Sequence, residues 1–224
     1  MSLVSPTPVP TVDDHPAKPR FRGLLHLLAF PLSIVTGSVL LLVVADTPAE
    51  RWSCLVYTAA AAILFGVSAL YHRGRWDPRT RARLRRLDHS NIFLMIAGTY
   101  TPLCVALLDD PSRRTVLAIV WVGALAGIVF RVAWLAAPAW LYTPFYVALG
   151  WVAVAVLPDL GRAGGGAVVA LMVAGGLAYS AGGVVYALKR PDPAPATFGY
   201  HELFHTGTII GFLCHYASIV LAVR

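Results

Sequence analysis

The chain has 224 residues, of which 58% are apolar and 13% charged, about half the charged share of a soluble domain. A spanning helix needs about 20 apolar residues, so seven helices fill most of this length, which excludes a disordered tail protein, a secreted disulfide scaffold and an ordinary cytosolic enzyme. A formal net charge of +7 would suggest nucleic acid in a soluble chain; in a membrane chain it asks which side carries the basic residues.

Residues 1–19 hold Pro6, Pro8, Pro10, Pro16 and Pro19 and no long apolar run. They read as a flexible tail and not a signal peptide, because Lys18, Arg20 and Arg22 lead into a full-length apolar stretch. The division expected is a flexible cytoplasmic tail over 1–22 and a seven-helix transmembrane domain over 23–224. The first span is Leu24 to Val44. The second runs from Trp52 to Tyr71, after the polar break Asp46 to Glu50, and is followed by a linker with Arg73, Arg75, Arg79, Arg81, Arg83, Arg85 and Arg86. The third starts near Leu87 and ends near Leu108, the fourth covers Thr115 to Leu135, and the fifth Trp140 to Leu157. The sixth, rich in glycine, covers Gly165 to Leu188, and the seventh Tyr200 to Ala222.

Loop charge orients the bundle. With the N-terminus inside, the inner segments carry 13 of the 18 basic residues and the outer ones only Arg51, Arg113, Arg114, Arg162 and Arg224. That favours N-in and C-out, and therefore an odd number of spans. Gly123, Ala124 and Gly127 in the fourth span and Gly175, Gly176, Gly182 and Gly183 in the sixth suit close helix packing in lipid. Cys54, Cys104 and Cys214 lie in separate spans without metal-site spacing and read as small buried hydrophobes.

Against this background ionisable residues at span ends are conspicuous, because charge inside a membrane is costly and marks sites. The second span ends in Ser68-Ala69-Leu70-Tyr71-His72, the third opens with Leu87-Asp88-His89, and the seventh opens with Tyr200-His201-Glu202-Leu203-Phe204-His205. In the N-in topology His72, Asp88, His201 and His205 all fall within about two helical turns of the inner surface. His201 and His205 are four apart, on one helix face. With His72 from another helix they make the three-imidazole set of a catalytic zinc, leaving a fourth position for water. Asp88 is placed to orient that water or take its proton, and Ser68, one turn from His72, to donate to it or to a developing oxyanion. His89 points elsewhere on its helix, and His26 and His215, deeper in their spans, read as hydrogen-bonded packing residues.

His201-Glu202-Leu203-Phe204-His205 also fits H-E-x-x-H, in which the glutamate is a metalloprotease base. The context argues against a protease. No Asp or Glu follows His205, and Thr208 and Gly211 stand where the extended form needs Gly and a third His.

In these three motifs, with Ala97-Gly98-Thr99-Tyr100-Thr101-Pro102 and His215-Tyr216, the chain resembles the haemolysin III branch of the progestin and adipoQ receptor family, whose wider superfamily includes alkaline ceramidases. The resemblance spans residue 20 to the end. It implies an all-α integral membrane fold with seven transmembrane helices, a cytoplasmic N-terminus and an outside C-terminus, in the plasma membrane. It further implies zinc held by His72, His201 and His205, with Asp88 contacting the water there and Ser68 nearby. The function expected is a zinc-dependent, ceramidase-like hydrolase acting on lipid amides or esters in the cytoplasmic leaflet. The alternative is a non-catalytic sensor, receptor or cytolytic protein with structural zinc. Membrane lipids, one of them a substrate, are the partners expected; nucleic acid is not.

Overall fold

Three of the long helices begin where a capping side chain meets a helix-starting proline. Thr47 Oγ1 accepts from the Glu50 N–H at 3.2 Å while Glu50 Oε2 accepts from the Thr47 N–H at 2.9 Å, a reciprocal cap with Pro48 at the first helical position. Asp77 likewise accepts from the N–H groups of Arg79 and Thr80 ahead of Pro78, and Asp109 from that of Ser112.

The computed structural model describes residues 18–224. Seven helices follow in order: α1 (Leu24–Val39), extended by a π-helical turn over Leu40–Val44, α2 (Pro48–Arg73), α3 (Pro78–Leu107), α4 (Asp110–Ala133), α5 (Ala139–Gly150), continued by a 3₁₀ stretch over Trp151–Val156, α6 (Leu157–Leu188) and α7 (Tyr200–Val223). No strand lies among the described residues, and six helical segments are long and apolar enough to cross a membrane. One of them, Trp140–Leu188, is 49 residues long, about 73 Å if it were straight, more than twice a hydrocarbon core of about 30 Å. It is not straight. The 3₁₀ stretch breaks it once, and Gly165 breaks it again at φ 81° and ψ 171°, a backbone open only to glycine. Its halves then run antiparallel, with Tyr142 Oη 3.5 Å from Tyr186 Oη and Trp151 Nε1 donating to Ser180 Oγ at 2.9 Å.

α3 is the central helix, packed against α2, α4, α5, α6 and α7. Phe93 and Ala97 on it are fully buried, whereas Val35, Leu42, Val122, Val129 and Trp140 on other helices face outward, as lipid contact requires. α3 starts nine residues before the expected span, so the arginines from Arg79 to Arg86 lie on its first turns and not in a loop. Hydropathy marks the lipid-facing stretch, while the Asp77 cap and Pro78 decide where the hydrogen bonds begin. Of the tail expected over 1–22, residues 1–17 lie outside the described residues. Lys18 to Arg22 are bound: the Arg20 and Phe21 N–H groups donate to the carbonyls of Ala196 and Thr197 at 3.0 and 3.2 Å. This strap crosses the end of the bundle where α2 and α6 finish and α3 and α7 begin.

Candidate metal centre

His72 sits in the last turn of α2, and His201 and His205 occupy successive turns of α7, so three imidazoles from two helices meet at that end. All three are buried, and one ring nitrogen of each lies within 4.8 Å of the others. His72 Nε2 and His201 Nε2 are 3.2 Å apart. Two nitrogens bound at about 2.0–2.1 Å to one tetrahedral ion stand about 3.3 Å apart, so the pair fits that geometry with little movement. The donor set, neutral nitrogen in a dry setting, suits a borderline ion such as zinc.

Asp88 joins from the third turn of α3. Its Oδ2 is 3.7 Å from His72 Nε2, too far to hydrogen-bond directly and suitable for a partner between them. Ser68, one turn before His72 and buried, faces the Asp88 carboxyl across the α2–α3 interface. Ser68, Asp88, His201 and His205 line one cavity of about 130 Å³, walled largely by carbon, that runs between α3, α5, α6 and α7 as far as Thr99, Trp151 and His215. The expected site residues therefore converge.

Of the other residues, some fall as expected and some do not. Glu202 is not free to act as a base: its Oε1 accepts from Arg22 Nε at 2.7 Å, its Oε2 accepts from the Gly199 N–H at 2.9 Å, and the side chain is 1% exposed. The motif is thereby split into two metal-facing histidines and a structural acid. His26 is not a hydrogen-bonded packing residue deep in its span. It lies one turn into α1, level with the first turns of α7, and its ring stacks on that of His205 at 3.7 Å and 4°. Both of its nitrogens lack a hydrogen-bond partner. His89 turns from the imidazole cluster, as expected, donating through Nδ1 to the Arg85 carbonyl at 2.8 Å and accepting from Tyr186 Oη at 3.1 Å, yet it lines the cavity. His215 bonds the Met172 carbonyl at 3.2 Å, as a packing residue should. Cys54 and Cys104 are buried and all three cysteines are free. Arg131, counted in the sequence only as an inner basic residue, is fully buried, its guanidinium 4.1 Å above the Tyr142 ring. The signal for Arg22 and His26 was faint. Each is a polar residue at the start of span one, and nothing local names its partner about 180 residues on.

A family model described as haemolysin-III related matches residues 15–216. The chain is 31% identical to the hemolysin-3 homolog of Bacillus subtilis (strain 168) over 211 residues, covering 91% of this chain and 93% of the relative. It is 34% identical to hemolysin-3 of Bacillus cereus over 135 residues, or 60% of this chain and 61% of that protein. With six long apolar helices in its fold, the chain is a multi-pass membrane protein that belongs to the haemolysin-III related family.

Proposed function

We propose that this protein is a zinc-dependent hydrolase of lipid amides or esters, working in the cytoplasmic leaflet of a bundle that crosses the membrane seven times with its N-terminus inside. The observation that carries the reading is the buried triad His72, His201 and His205 at one end of an apolar cavity, with Asp88 beside it. Among the described residues the group of ligand atoms is these three alone, and a triad that leaves a fourth position open is the pattern of a catalytic site and not of a closed structural one. The antiparallel halves of Trp140–Leu188 supply the seventh crossing.

Zinc, when bound, supplies Lewis acidity towards a carbonyl and makes water acidic enough to attack near neutral pH. The chain's own residues do the rest. Asp88 takes a proton at Oδ2, the oxygen turned to the triad, and returns it to the leaving amine or alcohol. Ser68 offers its single hydroxyl proton to the developing oxyanion. The carbon walls exclude bulk water and receive an alkyl chain, which strengthens every polar interaction inside.

Two variants test this. Asp88→Asn is expected to retain stoichiometric zinc and the wild-type melting temperature while losing at least about 100-fold in turnover of ceramide-like or ester lipids, the usual scale for a general base. His201→Ala is expected to lose the metal. The relatives' name favours a second reading, a cytolytic protein in which zinc only ties α2 to α7. That reading wins if Asp88→Asn lyses membranes as the wild type does and neither cleaves any lipid in a broad panel. Wild-type protein without a transition metal sinks both.

A further inference from the structure

The segment from Lys18 to His26 takes no part in the chemistry above, yet its polar groups bind the two helices that supply the imidazoles. Towards α2, Lys18 Nζ donates to the carbonyls of Gly74 at 3.1 Å and His72 at 3.4 Å, groups that the end of a helix leaves without partners. Gly23, at φ 78°, lies so close to His72 that a Cβ there would stand 2.5 Å from His72 Cβ. Towards α7, Arg22 Nε meets Glu202 Oε1 at 2.7 Å. Glu202 directly follows the ligand His201 and closes the first turn of α7 through Gly199. The backbone bonds to Ala196 and Thr197 tie the same segment to the loop that leads into α7.

His72 and the pair His201/His205 stand 129 and more residues apart in sequence, at a helix end and a helix start. α2 and α7 meet directly further along, where Tyr57 Oη donates to the Phe212 carbonyl at 3.2 Å. Helix ends fray, however, so ligands at a helix end and a helix start keep their spacing best when something beyond the two helices also holds it. We propose that Lys18–Gly23 is a clip, closed by the Arg22–Glu202 ion pair, that fixes His72 against His201 and His205 and thereby sets how tightly and how long the metal is retained. Arg22 and Glu202 are positioning residues in this scheme, one layer outside the ligands. The acid of the H-E-x-x-H motif is spent on geometry: its side chain, 1% exposed, is taken up by the Arg22 guanidinium and the Gly199 N–H. The inference rests on the triad being a metal site.

The test uses the purified full-length protein loaded with zinc and a chromophoric chelator in excess. The double variant Arg22→Met/Glu202→Gln opens the clip without leaving a lone charge buried, so the metal-free protein is expected to melt near the wild-type temperature. Zinc release is expected to quicken by about tenfold or more, the scale of losing an outer-layer partner. The visible spectrum of the cobalt-loaded variant is expected to broaden as the ligand spacing loosens. Arg22→Lys, which keeps the charge and loses the planar fork, is expected to release at an intermediate rate. A double variant that holds zinc as long as the wild type, with an unchanged cobalt spectrum, overturns the clip while leaving the metal reading intact. Should the double variant fail to fold, wild-type release from Arg22→Lys overturns it equally. A wild type that binds neither zinc nor cobalt overturns the metal reading, and the clip falls with it.

Discussion

Glu202 is the lone acidic side chain of α7, and its neighbours decide what it does. In the five-residue motif it reads as a base; in the fold, two donors occupy its oxygens. Asp88, in a less telling local pattern, is the acid turned to His72. Gly23 shows the same dependence on place. Its positive φ and the His72 Cβ at 2.5 Å both exclude a side chain, so Gly23→Ala is expected to cost about 1–3 kcal/mol in stability, as a strained left-handed residue does, and to lower the melting temperature. Gly166, which has open space around an added Cβ, provides the contrast. Gly166→Ala is expected to leave stability unchanged or raise it by up to about 1 kcal/mol, since alanine is the better helix residue. Equal effects at the two positions would remove the argument for a tightly fitted strap.

Among the elements, α6 and α7 form the closest pair, and small residues allow it. A Cβ on Gly207 would come 2.9 Å from the Ala178 carbonyl oxygen and 3.2 Å from the Gly182 Cα, and one on Gly182 would come 3.2 Å from the Phe204 carbonyl oxygen. These are backbone atoms and cannot swing aside. Gly207→Ala is therefore expected to destabilise the bundle by about 1–3 kcal/mol through overpacking, whereas Gly183→Ala, whose Cβ would stand 3.4 Å from a Thr143 methyl, is expected to be tolerated. Melting temperatures in detergent distinguish the two. Because Gly207 lies two residues, about half a turn, from His205, this contact also bears on the seating of α7 beside the cavity. The glycines of the sixth span were legible in sequence as packing residues; their partners were not, since composition says that a helix can approach closely but not which helix does.

At the scale of the whole molecule, the proposed seven-span, N-in and C-out topology rests on the uneven distribution of Lys and Arg and on the doubling back of Trp140–Leu188. A reporter active only outside the cell is expected to be active when fused at Arg162 or Arg224 and silent at Arg75 or Arg190. Activity at Arg162 with silence at Arg224 would refute the C-out arrangement. The spans themselves were readable because lipid contact demands long apolar runs. Each expected span but the fifth lies within one helical segment to within a few residues, the fifth running from α5 through the 3₁₀ stretch to the start of α6. The shared level of His72, Asp88, His201 and His205 was readable too, since residues counted from a span end translate into depth at about 1.5 Å each. Rotation about each helix axis and choice of neighbour carry no such ruler. They follow from which side chains interlock among seven packed helices, so it took the tertiary structure to bring His26 onto His205, to separate Glu202 from Asp88 in role, and to turn the last residues of an expected tail into a strap joining α2 to α7.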